Sequence, residues 1–517
     1  MDEPGVAGLS ERRAAAREEL GRVGFDVLVI GGGIIGAGIA NEAARAGLRV
    51  ALVDRGDFGG ATSSASSKLI HGGLRYLRMG DVRLVREAHR ERRALLRVVA
   101  PHLVSSLPFL FPVYRGGPYR PLTIRFGLAA YSALAGDRLG GLVDPARARR
   151  SVPALRLEGL AGCGVYRDAW THDGRLCLAN VRAAQDGGAT VLNYAEVVGL
   201  RIVRGGVTGA EVRDRIDGAA VPVAARAVVN ATGPWLDRVR RLEDPRAGPA
   251  ARLSKGVHVL LPLEEPWTAA LTIPQDEVRV TFAYPWGGGL LLGTTDTLYE
   301  GDPAQAAATS RDVDVVLDEA ATAVEPSLLR RDRVLFTWAG LRVLPGATGA
   351  TASTRRETVF LRGPAGMLTV AGGKLTTYRA IALEALSRLD GLHPLRLDPR
   401  PVPLPGAADA GAVAPRLAAR TGLPQATAAH LAGLYGTLAD EVVALADGRP
   451  ELLEPLHPGA PDIAAQAVYA GASEWATSAA DVLERRTSLA HRGLATADVV
   501  ARVEGLLREA DLLAGLR

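Results

Sequence analysis

The stretch DVLVIGGGIIGAGIA, Asp26–Ala40, decides the fold of this chain of 517 residues. Asp26–Ile30 is a short apolar run, read as a strand buried on both faces of a parallel sheet. Gly31, Gly33 and Gly36 follow at G-x-G-x-x-G spacing. An Ala-rich helix then runs to about Ala46 and is ended by Gly47. Arg49–Val53 is the next strand and delivers Asp54 at its end. The glycine spacing alone is a weak signal, but between a strand and a helix, with an acid at the end of the second strand, it is a strong dinucleotide fingerprint. In such a unit Gly31 permits the tight turn, Gly33 admits a pyrophosphate to the backbone, and Gly36 lets helix and strand pack. Asp54 is placed to hydrogen-bond a ribose hydroxyl.

The fingerprint does not separate NAD from FAD; the rest of the chain does. After the second strand the βα pattern breaks into SSASSKLIHGGLRYLRMG, Ser63–Gly80. A further buried strand, AVVNA, returns only at 227–231, before Thr232, Gly233 and Pro234. Another, MLTVA, comes at 367–371, before Gly372, Gly373 and a helix from about Lys374. A nucleotide domain assembled from distant segments is a flavoprotein's habit, because a long ligand lies across the sheet and late segments complete its pocket. Residues 250–340 hold several short strand patterns, read as an antiparallel sheet. DPRPVPLPGAADAGAVAP reads as a linker, and helical periodicity fills the remainder. The expected fold is α/β: a discontinuous FAD-binding Rossmann-like domain (25–100, 160–240 and 335–397), a substrate domain with an antiparallel sheet (101–159 and 241–334), a linker (398–412) and a C-terminal helical domain (413–517).

Composition narrows the function class. The formal net charge is +5, too small for this length to imply nucleic-acid binding. Cys163 and Cys177 are the only cysteines, so neither a disulfide framework nor a cysteine metal site is expected, and a reducing compartment fits. No apolar signal segment is visible at the N-terminus, and no apolar run reaches spanning length; membrane contact is expected to be peripheral. Two stretches could provide it: the basic helix 81–100, read in preference as a solvated charged helix, and the amphipathic segment 118–134, read equally as a packed helix or an interfacial one.

The pieces DVLVIGGGIIGAGIA, DFGGATSSASSKLIHGGLRYL, VVNATGPWLD, SKGVHVLLP, GTTDTLYEGDP, WAGLRVLP and GGKLTTYR occur in one order over roughly residues 25–380. In this set the chain resembles the FAD-dependent, aerobic, membrane-associated glycerol-3-phosphate dehydrogenases. The resemblance implies oxidation of sn-glycerol 3-phosphate to dihydroxyacetone phosphate by hydride transfer to flavin N5, with electrons passed to membrane quinone. It implies a cytoplasmic protein at the inner face of the membrane, leaves room for a homodimer, and calls for no metal. Arg75, Tyr76, His258, Arg342, Arg355 and Lys374 match its substrate pocket, with His258 and Arg342 in catalytic positions. The cofactor positions are Gly31, Gly33, Ile34, Ile35, Gly36, Asp54, Arg55, Thr62, Ser63, Ser64, Ser67, Lys68, Leu69, His71, Gly72, Gly73, Thr232, Gly233, Gly373, Lys374, Leu375 and Thr376.

These residue types suit the chemistry. A phosphorylated polyol needs cations that stay charged, and Arg binds phosphate oxygens bidentately. His258 is the general-base candidate by its unperturbed pKa, or a hydrogen-bonding partner only. The turn Gly372–Thr376 suits the negative end of a reduced flavin. Thr294, Thr295 and Asp296 read as a pocket wall or as a polar turn. Three departures from the family pattern are Val343 for a proline, His172 for an aspartate before Asp173, and no histidine after Thr354, Arg355, Arg356 and Glu357. The competing readings are the same fold working as an oxidase, or on another small hydroxy or amino compound, and a flavin-binding scaffold.

Overall fold

The protein is described here from a computed structural model, which describes residues 8–74, 81–117, 119–137, 140–276, 279–346, 358–392 and 395–514. The fingerprint folds as its residues dictate. Gly24–Ile30 is a strand, its last four residues wholly inside. Ile34–Arg45 is a helix buried on nearly every side, as its small, apolar composition allows. Five strands run parallel in the order Leu368–Ala371, Ala220–Asn230, Gly24–Ile30, Val50–Val53, Thr190–Leu192. Val359–Arg362 closes one edge antiparallel, and the hairpin Ala195–Val203 with Gly206–Asp214 extends the Ala220–Asn230 strand. Gly36 faces the carbonyl of Gly31 so closely that any Cβ there would run into it, which is how helix and turn pack without a gap.

The second sheet is mostly antiparallel. Its order is Thr297–Tyr299, Ala251–Pro262, Gly289–Gly293, Val280–Trp286, Ala270–Pro274, Val104–Tyr114, Leu160–Thr171, Leu69–Ile70, and Phe336–Pro345 pairs along Ala251–Pro262. Apolar clusters cover both of its faces. Three pieces expected in the dinucleotide segments thus belong to this sheet: Leu69–Ile70, Leu160–Thr171 and Phe336–Pro345. Each carries buried positions without a regular alternation, and no sequence period tells which of two sheets a strand will join.

Two further readings are corrected. The Val82–Ala94 helix is not simply solvated: Val85, Ala88, His89, Glu91 and Arg92 are buried. Its buried charges are compensated, Arg92 by Asp168 at 2.6 Å and Glu91 by Arg379 at 3.1 Å, and only such pairing lets a charged pattern go inside. The C-terminal helices begin at Ala410 rather than 413. The stretch before them stays tied to the body, with Leu404 N–H donating to the Val99 carbonyl at 2.8 Å. From there to Ala514 the chain is helical around its own apolar core.

Candidate active site

The two sheets meet through the loop Thr62–Lys68. At its start it serves the fingerprint: Ile34 N–H donates to Ser63 Oγ at 2.8 Å. The Ile34–Arg45 helix has Gly33 at its cap, with no side-chain hydrogen bond and no acid in the first turn. Its positive end is therefore arranged for an anion from outside the helix. Asp54 ties the turn together, Oδ2 accepting from Gly32 N–H at 2.6 Å and Oδ1 from Gly56 N–H at 2.8 Å. Desolvation pushes its carboxyl up to about 6. Each oxygen keeps a second lone pair for a ribose hydroxyl. Arg55 lies over the Trp235 ring, 5.4 Å from its centroid, which brings the Thr232–Gly233 turn beside Asp54. Thr232 Oγ1 donates to Asn230 Oδ1 at 2.7 Å.

At its other end the loop lies on the second sheet. Ser254, Gly256 and His258 oppose Arg342, Gly340 and Trp338 in register, so all six share one face. A Cβ on Gly340 would strike the Ala65 carbonyl, and one on Gly256 the Arg342 guanidinium. The two glycines leave a flat patch on which backbone and guanidinium rest. Hydrogen bonds fix the loop there: Thr62 Oγ1 to the Leu341 carbonyl at 2.8 Å, Trp338 Nε1 to the Ser66 carbonyl at 3.2 Å, and Tyr284 OH to the Ser67 carbonyl.

His258 is stacked on Trp338, with ring centroids 5.2 Å apart, and its Nε2 lies 2.9 Å from Ser67 Oγ. It is 2 % exposed. Burial first, then the charges of Arg342 and Lys68, hold its pKa well below the usual imidazole value. Arg342 donates to the Thr295 carbonyl at 3.1 Å and to Thr294 Oγ1 at 2.9 Å, so the GTTD segment fixes the direction of this guanidinium.

Lys68 does not point outward. Its ammonium is buried between Trp286 and Trp338, 4.6 and 5.0 Å from their centroids, and bonds Asp173 at 2.7 Å and the Ser64 carbonyl at 2.8 Å. Asp173 also accepts from Ser66 Oγ at 2.7 Å. Lys68 therefore braces the loop from inside, its backbone N–H bonded to Ser66 Oγ and its carbonyl to Thr171 N–H, each at 2.8 Å. Asp173 is not among the expected site residues, although its segment carries one of the departures from the family pattern; its signal is that a buried lysine needs a carboxylate partner. His172, the departure beside it, packs against Trp170 and Trp286, and burial pushes it down to about 3, so it stands there as a neutral ring.

Leu69–Ile70 pairs with Ala169–Trp170, and His71 N–H donates to Thr376 Oγ1 at 3.1 Å. This brings the Gly372–Thr376 turn to the end of the loop. Gly373 packs on Ile35 of the fingerprint helix, Leu375–Thr377 forms a single 3₁₀ turn and Tyr378–Ser387 the following helix. Gly72 N–H donates to Asp168 at 3.2 Å, and its bare side faces the His89 ring, with Gly73 at φ +76° beyond it. Of the expected substrate residues, His258 and Arg342 share one sheet face. Lys374 opens the 3₁₀ turn as its half-buried cap residue. Arg75, Tyr76 and Arg355 lie outside the described residues. Among the described residues no cluster of His, Cys, Asp and Glu could hold a metal.

Comparison with known proteins shows the family and the fold. Residues 26–379 match the family model described as FAD dependent oxidoreductase, and residues 399–510 that of the C-terminal domain of alpha-glycerophosphate oxidase. The chain is 39% identical over 522 residues to a glycerol-3-phosphate dehydrogenase of Mycobacterium leprae, covering 96% of this chain and 88% of that one. It is 36% identical over 505 residues to the mitochondrial glycerol-3-phosphate dehydrogenase of Macaca fascicularis, covering 92% of this chain and 68% of that one. The crystal structure of the glycerol-3-phosphate dehydrogenase from Bacillus halodurans, complexed with FAD, superposes with a TM-score of 0.76 at 27% identity, covering 98% of each chain.

Proposed function

The chain belongs to the FAD-dependent glycerol-3-phosphate dehydrogenase family, and from that membership we propose that it oxidises sn-glycerol 3-phosphate to dihydroxyacetone phosphate and passes the electrons to a membrane quinone. The observation that supports this most is the shared face of His258 and Arg342 under the loop that also serves the dinucleotide fingerprint. The residues fit FAD. Gly31–Gly36 and Ser63 would hold the pyrophosphate, Asp54 and Arg55 the adenosine half, and Ser64–Gly73 with Gly373–Thr376 the ring. When bound, the flavin supplies the hydride acceptor.

The chain's own residues then have three tasks. Arg342, with Arg75, Arg355 and Lys374, binds the substrate's anionic groups, and Tyr76 donates a hydroxyl. Arg342, steadied by Thr294 and Thr295, also lowers the cost of negative charge developing on the C2 oxygen. His258 takes the C2 hydroxyl proton at Nε2, the ring nitrogen turned toward the loop, with Ser67 Oγ beside it. The buried Trp338 ring keeps the imidazole in plane and water away from it.

The pKa direction gives a test. A lowered pKa keeps the imidazole neutral, hence able to accept a proton, further into acid than an ordinary histidine. At saturating substrate, the rate of flavin reduction should therefore stay flat as pH falls through the ordinary histidine value and decline only well below it. A decline centred near the ordinary value would contradict the lowered pKa of His258, and a limiting rate left unchanged by His258→Asn would contradict its role as the base.

For the membrane, no helix among the described residues is long and apolar enough to cross. The Pro121–Ala135 helix buries Ile124, Leu128 and Tyr131 and turns Leu122 and Phe126 outward, 63% and 71% exposed. Arg120 and Arg125 stand beside them, a face suited to the inner surface of an anionic membrane. The acceptor is tested by reducing the protein anaerobically with glycerol 3-phosphate and comparing reoxidation by a soluble quinone analogue and by oxygen. The quinone should be much the faster; equal or faster reoxidation by oxygen would make the protein an oxidase.

A further inference from the structure

A second buried polar cluster lies away from the reacting face, behind the fingerprint. Asp57, 4 % exposed, sits in the turn after Asp54. Two arginines of the C-terminal helical domain converge on it. Arg485 Nε lies 2.6 Å from Asp57 Oδ2, and Arg486 bonds both oxygens, Nη1 to Oδ2 at 2.7 Å and Nη2 to Oδ1 at 2.9 Å. Arg486 is fully buried. Its Nη2 also donates to the Glu474 carbonyl at 2.6 Å, and Arg485 pairs with Asp481 at 2.7 Å. On the far side Asn193 donates to Asp57 Oδ1 at 3.2 Å and to the Trp475 carbonyl at 2.7 Å, and accepts from Arg13 at 2.8 Å.

The turn that Asp57 belongs to holds Gly32, inside the fingerprint, from several directions. Asp54 accepts from Gly32 N–H at 2.6 Å. Gly59 N–H donates to the Gly32 carbonyl at 3.0 Å, and Cys177 Sγ lies 3.3 Å from the same oxygen. Phe58, wholly buried, packs on Gly32. The path from the C-terminal domain to the pyrophosphate turn is thus Arg486, Asp57, the Asp54–Gly60 turn, Gly32. Each link is a charge-assisted or backbone hydrogen bond, apart from the weak thiol contact. A bidentate arginine on a carboxylate fixes direction as well as distance, so this pair sets where the turn sits.

We propose that the C-terminal helical domain is a cofactor clamp, in which Arg485 and Arg486 are positioning residues that hold Asp57, and through its turn the fingerprint, in the form that retains FAD. The inference rests on FAD binding at the fingerprint and not on the choice of substrate. It gives the domain a task that touches neither substrate nor acceptor.

The test is the rate of FAD release from the full-length holoprotein on dilution, read by the rise of free-flavin fluorescence. Asp57→Asn and Arg486→Met should each speed release by about tenfold or more, and the double variant no more than the worse single one, because both remove the same link. Arg486→Lys, which keeps the charge without the fork, should restore part of the retention. With FAD in saturating excess, the rate of flavin reduction by substrate should stay near that of the unaltered protein. Unchanged release rates would overturn the proposal, even if melting temperatures fell. So would additive effects in the double variant, or reduction rates that fall together with retention. Asp57→Asn is nearly isosteric and can be read where Arg486→Met does not fold; failure of both to fold would overturn the clamp in favour of a purely architectural pair. A protein that does not react with glycerol 3-phosphate still reports its FAD release, so the two readings fail separately.

Discussion

Arg342→Met is expected to slow flavin reduction by glycerol 3-phosphate by about a hundredfold to a thousandfold, the range seen when a preorganised donor to a developing oxyanion is removed. Arg342 is held by the Thr295 carbonyl and Thr294 Oγ1 and lies over Gly256, on the same face as His258. Its orientation is fixed before substrate arrives, so no reorganisation offsets its electrostatic effect. Methionine keeps much of the stem's volume and removes the charge. The loss should appear in the limiting first-order reduction rate as well as in the apparent affinity, because the same cation meets bound anion and transition state. Stopped-flow reduction under anaerobic conditions separates the two. An affinity loss with an unchanged limiting rate would make Arg342 a phosphate holder only. Relief of a positive neighbour should also let the His258 pKa rise, since Arg342 is one of the charges that lower it.

Asp173→Ala is expected to destabilise the protein by about 3–5 kcal/mol, the cost of leaving a buried charge without its partner. Lys68 and Asp173 are 1 % and 2 % exposed, and burial already lowers the lysine pKa against the raising effect of Asp173. Without the carboxylate the ammonium would be driven to give up its proton. The cost has a functional side, because Asp173 anchors Ser66 and the next residue, Ser67, meets His258. The variant should reduce its flavin more slowly as well as melt earlier. The double replacement Lys68→Met with Asp173→Leu should recover most of the stability, since an apolar pair of similar size removes both desolvation penalties, yet not the reduction rate, because Ser66 loses its anchor. Denaturant unfolding and stopped-flow reduction on Lys68→Met, Asp173→Leu and their combination close the cycle. Full recovery of both quantities would show that the pair serves stability alone.

The sequence made the dinucleotide half legible because its rules are local. A strand, three glycines at fixed spacing, a helix and an acid are all read within thirty residues, and the parallel strands at 227 and 367 carry their own apolar runs. The family motifs named His258, Arg342 and the Thr62–Gly73 loop for one site; in the structure His258 and Arg342 lie on one sheet face and Ser67 meets His258. What could not be read was non-local. Leu160–Thr171 and Phe336–Pro345 have the composition of strands, which does not say which sheet they join. The inward turn of Lys68 follows from Asp173, a hundred positions away in the chain, and the burial of Arg92 and Glu91 follows from Asp168 and Arg379. Asp57 opens the DFGGATSS motif, and Arg485–Arg486 lie more than four hundred positions away in the helical tail, where no sequence signal links them to it. Only the fold brings them to 2.6–2.9 Å of one another.

The central claim is that the His258–Arg342 face works on glycerol 3-phosphate with FAD held by the fingerprint. It is tested most directly by mixing the purified holoprotein with glycerol 3-phosphate in the absence of oxygen and following the visible flavin band. The account predicts rapid and complete bleaching by glycerol 3-phosphate, far slower bleaching by glycerol, and formation of one dihydroxyacetone phosphate per flavin reduced. A flavin that stays oxidised with glycerol 3-phosphate, or that is bleached equally well by glycerol, would contradict it.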